Sequence, residues 1–139
     1  MKVDDFISKL TQDCLYAGVR KLNRIVTSIY DKELQRLRLT ANQLTILAVI
    51  GRSVSISAGR VATVLAMDKS TVSRNVERMK RHGWVYQVPD PDDQRIVVFK
   101  LTGAGRKLVA GAQGPWSVAQ KKVSKLLGDE GTALLKKKF

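Results

Sequence analysis

The chain has one cysteine, one histidine and three prolines among its 139 residues. A single cysteine excludes an intrachain disulfide framework, and one cysteine with one histidine are too few for a structural zinc site. The longest apolar run, residues 44–50, is far shorter than the roughly 20 residues that cross a bilayer. Residues 1–5 lack the layout of a signal peptide. We therefore expect a cytoplasmic protein with no metal, no cofactor and no membrane partner.

Acidic residues are also scarce. There are 25 Lys and Arg but only 12 Asp and Glu, so the formal net charge is +13. Residues 40–102 carry nine basic and five acidic residues, and residues 69–81 alone carry five basic and one acidic, so both have a surplus of +4. A solvating surface is one interpretation of this charge. Its concentration in one short segment favours a polyanionic partner, whose counterions are released on binding.

The spacing of apolar residues predicts a mainly α chain with one β-hairpin. Residues 4–38 have helical spacing without proline, which predicts one long helix that packs on another chain. Thr40 is expected to cap a second helix that ends at Gly51, and Ser57 to cap a third. Residues 84–88 and 96–101 are rich in β-branched and aromatic residues, as in a hairpin. From Thr102 a helical pattern resumes, kinked near residues 111–115 and broken at Gly128.

Residues 69–81 carry the clearest functional pattern. Asp68 is the expected N-cap, and Val72, Val76 and Met79 form one narrow apolar stripe. The other side of the helix has short hydroxyl side chains at the front and arginines behind them. Two helices, a tight turn and a hairpin follow in the order of a winged helix-turn-helix, whose second helix enters the major groove. The candidate DNA-binding residues are Lys69, Ser70, Thr71, Ser73, Arg74, Asn75, Arg78, Arg81 and, at the hairpin tip, Arg95.

The chain resembles regulators of the MarR family over nearly its whole length. The matching segments are L-T-A-N-Q-L-T-I-L (39–47), V-A-T-V-L-A-M-D-K-S-T-V-S-R-N-V-E-R-M (61–79), D-P-D-D-Q-R (90–95) and L-T-G-A-G-R (101–106). The resemblance implies a winged helix-turn-helix over residues 40–102. It also implies a helical dimerisation region made of residues 1–39 and 103–139.

The same resemblance implies a bacterial homodimeric repressor on a pseudo-palindromic double-stranded DNA operator, released by a ligand or an oxidant. Residues 70–75 match the base-reading start of the recognition helix, and Arg95 matches the wing arginine. Tyr16 and Arg20, one turn apart, are candidates for binding a small phenolic or carboxylate effector.

Three alternatives remain at this stage. A redox-sensing regulator would use Cys14, but the peroxide-sensing branch of the family has its cysteine at the position of Tyr16. Two residues on one helix differ by about 200° of rotation, which argues against Cys14. A basic DNA-coating protein would need no discriminating helix front. An enzyme would have only Cys14 and His82 as nucleophile and base, on elements that we expect to be far apart.

Overall fold

The computed structural model describes residues 2–138, and it confirms a mainly α chain with one antiparallel hairpin. Met1 and Phe139, the outer limits of the helical region expected from the sequence, lie outside the described residues. The elements are α1 Val3–Asp13, α2 Leu15–Leu34, a 3₁₀ turn Gln35–Leu37, α3 Ala41–Arg52, α4 Ala58–Leu65, α5 Lys69–Arg81, β1 Val85–Pro89, β2 Val97–Leu101, α6 Gly103–Gly111 and α7 Gln113–Lys138.

The first helical region is divided at Cys14, so the prediction of one continuous helix over residues 4–38 is wrong. Cys14 has φ −70° and ψ 112°, an extended conformation that ends α1 and precedes α2. Gly18, the glycine nearest to this break, remains helical. Cysteine carries only a mild helix penalty, so the local sequence contains no stop signal. Cys14 and Tyr16 therefore do not share one helix, so the rotation of about 200° expected between them does not apply.

Local hydrogen bonds define the starts of α3 and α4 as the sequence predicts. The Thr40 hydroxyl accepts from the Gln43 N–H, and the Gln43 side chain accepts from the Thr40 N–H, forming a capping box. The Ser57 hydroxyl accepts from the Arg60 N–H. The prediction for Asp68 is wrong in part: it occupies the N-cap position of α5, yet its side chain makes no capping hydrogen bond among the described residues. Its extended backbone alone begins the helix.

Side chains from α3, α4, α5 and the hairpin form one core. Its fully buried members on α3, α4 and α5 are Ile46, Leu47, Ile50, Val61, Val72, Val76 and Met79. Val85 and Phe99 from the hairpin and the fully buried Leu34 at the end of α2 pack on them. Between α4 and α5, Ala66 has φ 51°, a left-handed conformation that costs an alanine about 1–2 kcal/mol. Burial on both sides of this turn offsets that cost.

The hairpin is joined to the body at its base. In the β1–β2 register Val85 lies opposite Leu101 and Gln87 opposite Phe99. The Phe99 N–H donates to the Ile56 carbonyl at 2.9 Å, which ties β2 to the segment before α4. The Thr102 N–H donates to the Trp84 carbonyl at 3.0 Å, which ties the start of α6 to β1.

The unit formed by α3, α4, α5 and the hairpin is called the winged lobe. Outside it, helices α2 and α7 pack on each other. The Tyr30 hydroxyl hydrogen-bonds to the Gln120 side chain, and Lys122 pairs with Glu33 at 2.5 Å. Burial raises the pKa of Tyr30. The expected interruptions are present: α6 ends at Gly111, and Gly128, with φ 74° and ψ 175°, breaks the regular path of α7.

Gly105 tests the close contact between α6 and the hairpin. A β-carbon at Gly105 would lie 2.1 Å from the Trp84 carbonyl oxygen, whereas one at Gly103 would meet no atom within 4 Å. We expect Gly105→Ala to lower the free energy of unfolding by about 1–3 kcal/mol, because backbone must shift. Gly103→Ala, the control on the same helix, should leave it unchanged or raise it by up to about 1 kcal/mol. Urea unfolding measures both, and equal stabilities would contradict the close contact.

Candidate nucleic-acid interface

The apolar stripe of α5 determines which of its faces points outward. Val72, Val76 and Met79 are 0%, 1% and 0% exposed, as their spacing predicts. Burying a side chain of this size contributes about 1.5–3 kcal/mol, so rotating α5 about its axis would be costly. The opposite face, which carries Arg74, Arg78 and Arg81, therefore lies in solvent.

The structure brings eight of the nine candidate DNA-binding residues together on α5. Lys69, Ser70, Arg74, Arg78 and Arg81 are exposed, and Thr71, Ser73 and Asn75 are half-buried. The Asn75 side-chain amide donates to the Thr71 carbonyl at 2.9 Å, so part of its hydrogen-bonding capacity is used within the helix. Within residues 2–138, the three arginines of α5 form no ion pair. Their guanidinium groups are free to meet an external anion.

Lys80 behaves differently from these arginines and is absent from the sequence-based candidates. Its Nζ donates to Glu77 Oε1 at 3.1 Å and to Gln87 Oε1 on β1 at 2.7 Å. Glu77 therefore pairs with Lys80 and with none of the arginines of α5 among the described residues. The only sequence signal was the i, i+3 spacing of Glu77 and Lys80. The contact with Gln87 requires the hairpin to fold beside the end of α5.

Arg95, the ninth candidate, lies at the hairpin tip with its side chain 90% exposed. Its Nε and Nη2 donate to the two carboxylate oxygens of Asp93, each at 3.0 Å. Asp93 thereby orients Arg95, whereas the neighbouring Asp92 side chain forms no ion pair among the described residues. The Asp90 side chain accepts the backbone N–H groups of Asp92 and Asp93, which shapes the turn.

This bidentate contact shifts the pKa of both partners in the direction that favours the charged form. The hydrogen bonds from the Arg95 side chain, and then the one from its backbone N–H, hold the pKa of the Asp93 carboxyl below its ordinary value. The Asp93 carboxylate in turn raises the pKa of Arg95. Both groups stay charged at neutral pH, so the wing tip presents a cation held in a defined orientation.

The effector candidates Tyr16 and Arg20 lie on α2, away from the residues of α5. The Arg20 guanidinium carbon is 5.9 Å from the centre of the Tyr16 ring, and both side chains are exposed. A cavity of about 310 Å³ between α3, α6 and α7 is lined by other side chains, including Leu44, Val109 and Trp116. The structure therefore pairs the two candidates with each other and does not place them in this cavity.

Comparison with known proteins identifies the lobe. Residues 39–96 match the MarR family model. The multiple antibiotic resistance protein MarR of Escherichia coli is 31% identical over 104 residues, which cover 70% of this chain and 72% of that protein. The regulator PecS of Dickeya dadantii is 26% identical over 92 residues, 64% of this chain and 55% of PecS.

The chain belongs to the MarR family. The crystal structure of a cysteine-to-serine mutant of E. coli MarR, complexed with operator DNA, superposes with a TM-score of 0.80 at 25% identity and covers 92% of both chains. The winged helix-turn-helix expected from the sequence is thereby confirmed. MarR-family proteins are DNA-binding transcriptional regulators, and this chain is one of them.

Two further properties concern the part of the chain that the structure describes. No group of three or more His, Cys, Asp or Glu side chains there is arranged to hold a metal ion. Among the same residues, no helix has the length and apolar character needed to cross a membrane. Cys14 lies between α1 and α2, whereas His82 follows the end of α5, where its ring stacks on Trp84 with the ring centres 4.5 Å apart.

The titration of Asp93 tests the wing contact. In the native protein the Asp93 carboxyl should titrate below the ordinary aspartate pKa of about 3.9, and in Arg95→Ala it should return toward that value. A lowered pKa in the folded state stabilises it above the unfolded pKa, and that contribution is lost as pH falls through the folded value. Carbon-detected NMR of the carboxyl group measures this. Arg74→Ala, the control, should leave the Asp93 titration unchanged, and an Arg95→Ala curve identical to native would contradict the contact.

Proposed function

We propose that the protein is a cytoplasmic homodimeric repressor that binds a pseudo-palindromic operator and is released by a small-molecule effector. The observation that carries this proposal is the fixed rotation of α5, which presents Ser70, Arg74 and Arg78 on one accessible face. Operator binding by MarR of E. coli, a relative with the same fold, supports it.

In this proposal the front of α5 reads base edges and the rest of the interface holds phosphates. Ser70, Thr71, Ser73 and Arg74, with Lys69 and Asn75 beside them, lie at the N-terminal half of the helix, which approaches the bases in a helix-turn-helix. An arginine can form two hydrogen bonds to guanine, and short hydroxyl side chains let the helix come close. Arg78 and Arg81 lie further toward the C-terminus of α5 and contact the phosphate backbone of the DNA. Arg95 reaches the minor groove or a phosphate beyond the wing.

The dimer is supported by apolar surface that the single chain leaves uncovered. Within the described residues, α1 buries none of its side chains, although Val3, Phe6, Ile7 and Leu10 have the i, i+3, i+4, i+7 spacing of one helix face. Such a contiguous apolar face is typical of a protein–protein interface. We infer that residues 1–39 and 103–139 form the dimerisation region and residues 40–102 the DNA-binding domain.

The effector is proposed to be a small phenol or carboxylate that binds near Tyr16 and Arg20. The support is their pairing on an exposed part of α2, where a guanidinium and an aromatic ring lie 5.9 Å apart. An arginine can bind a carboxylate with two hydrogen bonds, and a tyrosine ring can stack on an aromatic ligand.

Three arginine variants separate base reading from phosphate contact. The selected duplex is the DNA that the protein prefers in a binding selection from random sequences. Arg74→Ala should weaken binding to it by about 1–3 kcal/mol and relax the base preference at one position per half-site. Arg78→Ala should weaken binding to all sequences by nearly the same factor. It should also lower the salt slope, the steepness of log K against log salt concentration, by roughly one. Arg95→Ala should weaken binding most where the flanking minor groove is narrow. Fluorescence anisotropy on selected and scrambled duplexes, over a salt series, measures all three.

The control is Lys121→Ala, which removes one exposed positive charge from α7, outside the winged lobe. It should leave the preference for the selected duplex unchanged. The selected duplex itself comes from binding selection on random DNA at fixed salt. Equal weakening of both duplexes by all three arginine variants would show that the protein reads charge alone, and the DNA-coating alternative would then replace this proposal.

Sedimentation tests the dimer. The native protein should sediment at micromolar concentration with twice the 15.4 kDa mass of the chain. The double variant Phe6→Glu with Leu10→Glu should shift the equilibrium toward monomer, because charges would enter the proposed interface. Gln12→Glu adds a charge to the opposite face of α1 and serves as the control, which should remain dimeric. A native protein that sediments only as a monomer would overturn the claim.

A further inference from the structure

We propose that Lys80 is a positioning residue that holds the wing in register with the recognition helix, rather than one more cation that binds phosphate. The inference rests on the proposed function, because the wing and α5 must contact the same DNA site. It assigns a role to the contact between Lys80 on α5 and Gln87 on β1. Neither residue is among the DNA-binding candidates predicted from the sequence.

The Lys80 ammonium group donates to two acceptors within the protein, one on α5 and one on β1. Its Nζ donates to Gln87 Oε1 at 2.7 Å and to Glu77 Oε1 at 3.1 Å. The Lys80 side chain is 27% exposed, against 90% for Arg95. A lysine has three N–H donors, of which two are used here, and the Glu77 carboxylate offsets its charge. Lys80 therefore has less to offer a phosphate than Arg78 or Arg81, which have no ion pair in the described part of the chain.

Gln87 is the only β1 residue that the described side-chain hydrogen bonds connect to α5. On the other strand, the Phe99 N–H donates to the Ile56 carbonyl, and Lys100 Nζ donates to the Val54 carbonyl at 3.1 Å. Strand β2 is thus tied to the segment between α3 and α4, whereas β1 is tied through Lys80 to the recognition helix itself. Lys80 thus connects β1 to the recognition helix, and Lys100 connects β2 to the segment between α3 and α4.

The distance from Gln87 to the tip gives this contact leverage. Each strand residue advances about 3.3 Å, so the turn that carries Arg95 begins on the order of 10 Å beyond Gln87. A small rotation at Gln87 then displaces the Arg95 guanidinium by ångströms, which is enough to lose a hydrogen bond to DNA. The Lys80–Gln87 contact therefore determines whether Arg95 and the front of α5 reach the same DNA together.

The decisive variant is Gln87→Met, which removes the acceptor on the wing without removing any charge. It should weaken binding to the selected duplex about three- to tenfold, the range of the net contribution of one typical hydrogen bond, and leave the dependence of binding on salt unchanged. Lys80→Met should weaken binding at least as much, and Lys80→Arg, which keeps both donors, should bind within about twofold of native. In the Gln87→Met background, Arg95→Ala should have a smaller effect than in the native protein, because the wing is already misplaced.

A second measurement does not depend on DNA. Nitrogen-15 relaxation of the free protein should show greater motion of residues 92–96 in Gln87→Met and Lys80→Met, but not in Lys80→Arg. Urea midpoints of all variants establish that the lobe stays folded. Native-like binding and relaxation of Gln87→Met, together with a salt slope lowered by about one in Lys80→Met, would show that Lys80 contacts phosphate and would overturn the inference. If the native protein does not prefer the selected duplex, the proposed function fails, and the relaxation experiment still decides the role of Lys80.

Discussion

The arrangement of the DNA-binding lobe depends on the burial of three side chains, Val72, Val76 and Met79, against the core formed by α3 and α4. Three buried side chains of this size together contribute several kcal/mol, which is comparable with the whole stability of a small domain. Once that stripe is buried, the direction of every other side chain on α5 is determined by the helical repeat of 3.6 residues. The charged face needs no dedicated contacts to hold its orientation.

The same reasoning explains what the sequence could predict. The stripe on α5, the Thr40 capping box and the Ser57 cap depend on residues at most seven positions apart in one element, so periodicity and local hydrogen-bond chemistry were sufficient. The hairpin followed from its composition in the same way. These parts of the fold were predicted correctly, as was the membership of the winged helix-turn-helix class.

The features that the sequence did not predict are those in which separate elements meet. The break at Cys14 carries no glycine or proline signal, and Asp68 has capping chemistry without the capping bond. The contact between Lys80 and Gln87 joins a helix to a strand across a turn whose angle follows from the packing of the core. For the candidate site, periodicity could therefore predict which face of α5 is exposed, but it could not predict the contact between Lys80 and the wing.

The wing tip combines exposure with order. Arg95 is almost fully exposed, yet its two contacts with Asp93 restrict the guanidinium to one direction. An exposed ion pair contributes little to stability, typically below about 1 kcal/mol, so exchanging the carboxylate for a phosphate would cost little. The pair thus holds the guanidinium at the wing tip without a contact strong enough to compete with a phosphate.

The close approach of Gly105 to Trp84 has a mechanical consequence. Together with the hydrogen bond from Thr102 to the Trp84 carbonyl, it joins α6 closely to the hairpin, so we expect the DNA-binding lobe and α6 to move as one rigid body. In a dimer, such a rigid joint fixes the spacing and the relative twist of two recognition helices. One added base pair between half-sites turns B-DNA by about 35°, since a helical turn holds 10–10.5 base pairs. A rigid dimer can bind such an altered site only by deforming the DNA. The joint would therefore make binding depend on the spacing between half-sites as well as on their base sequence.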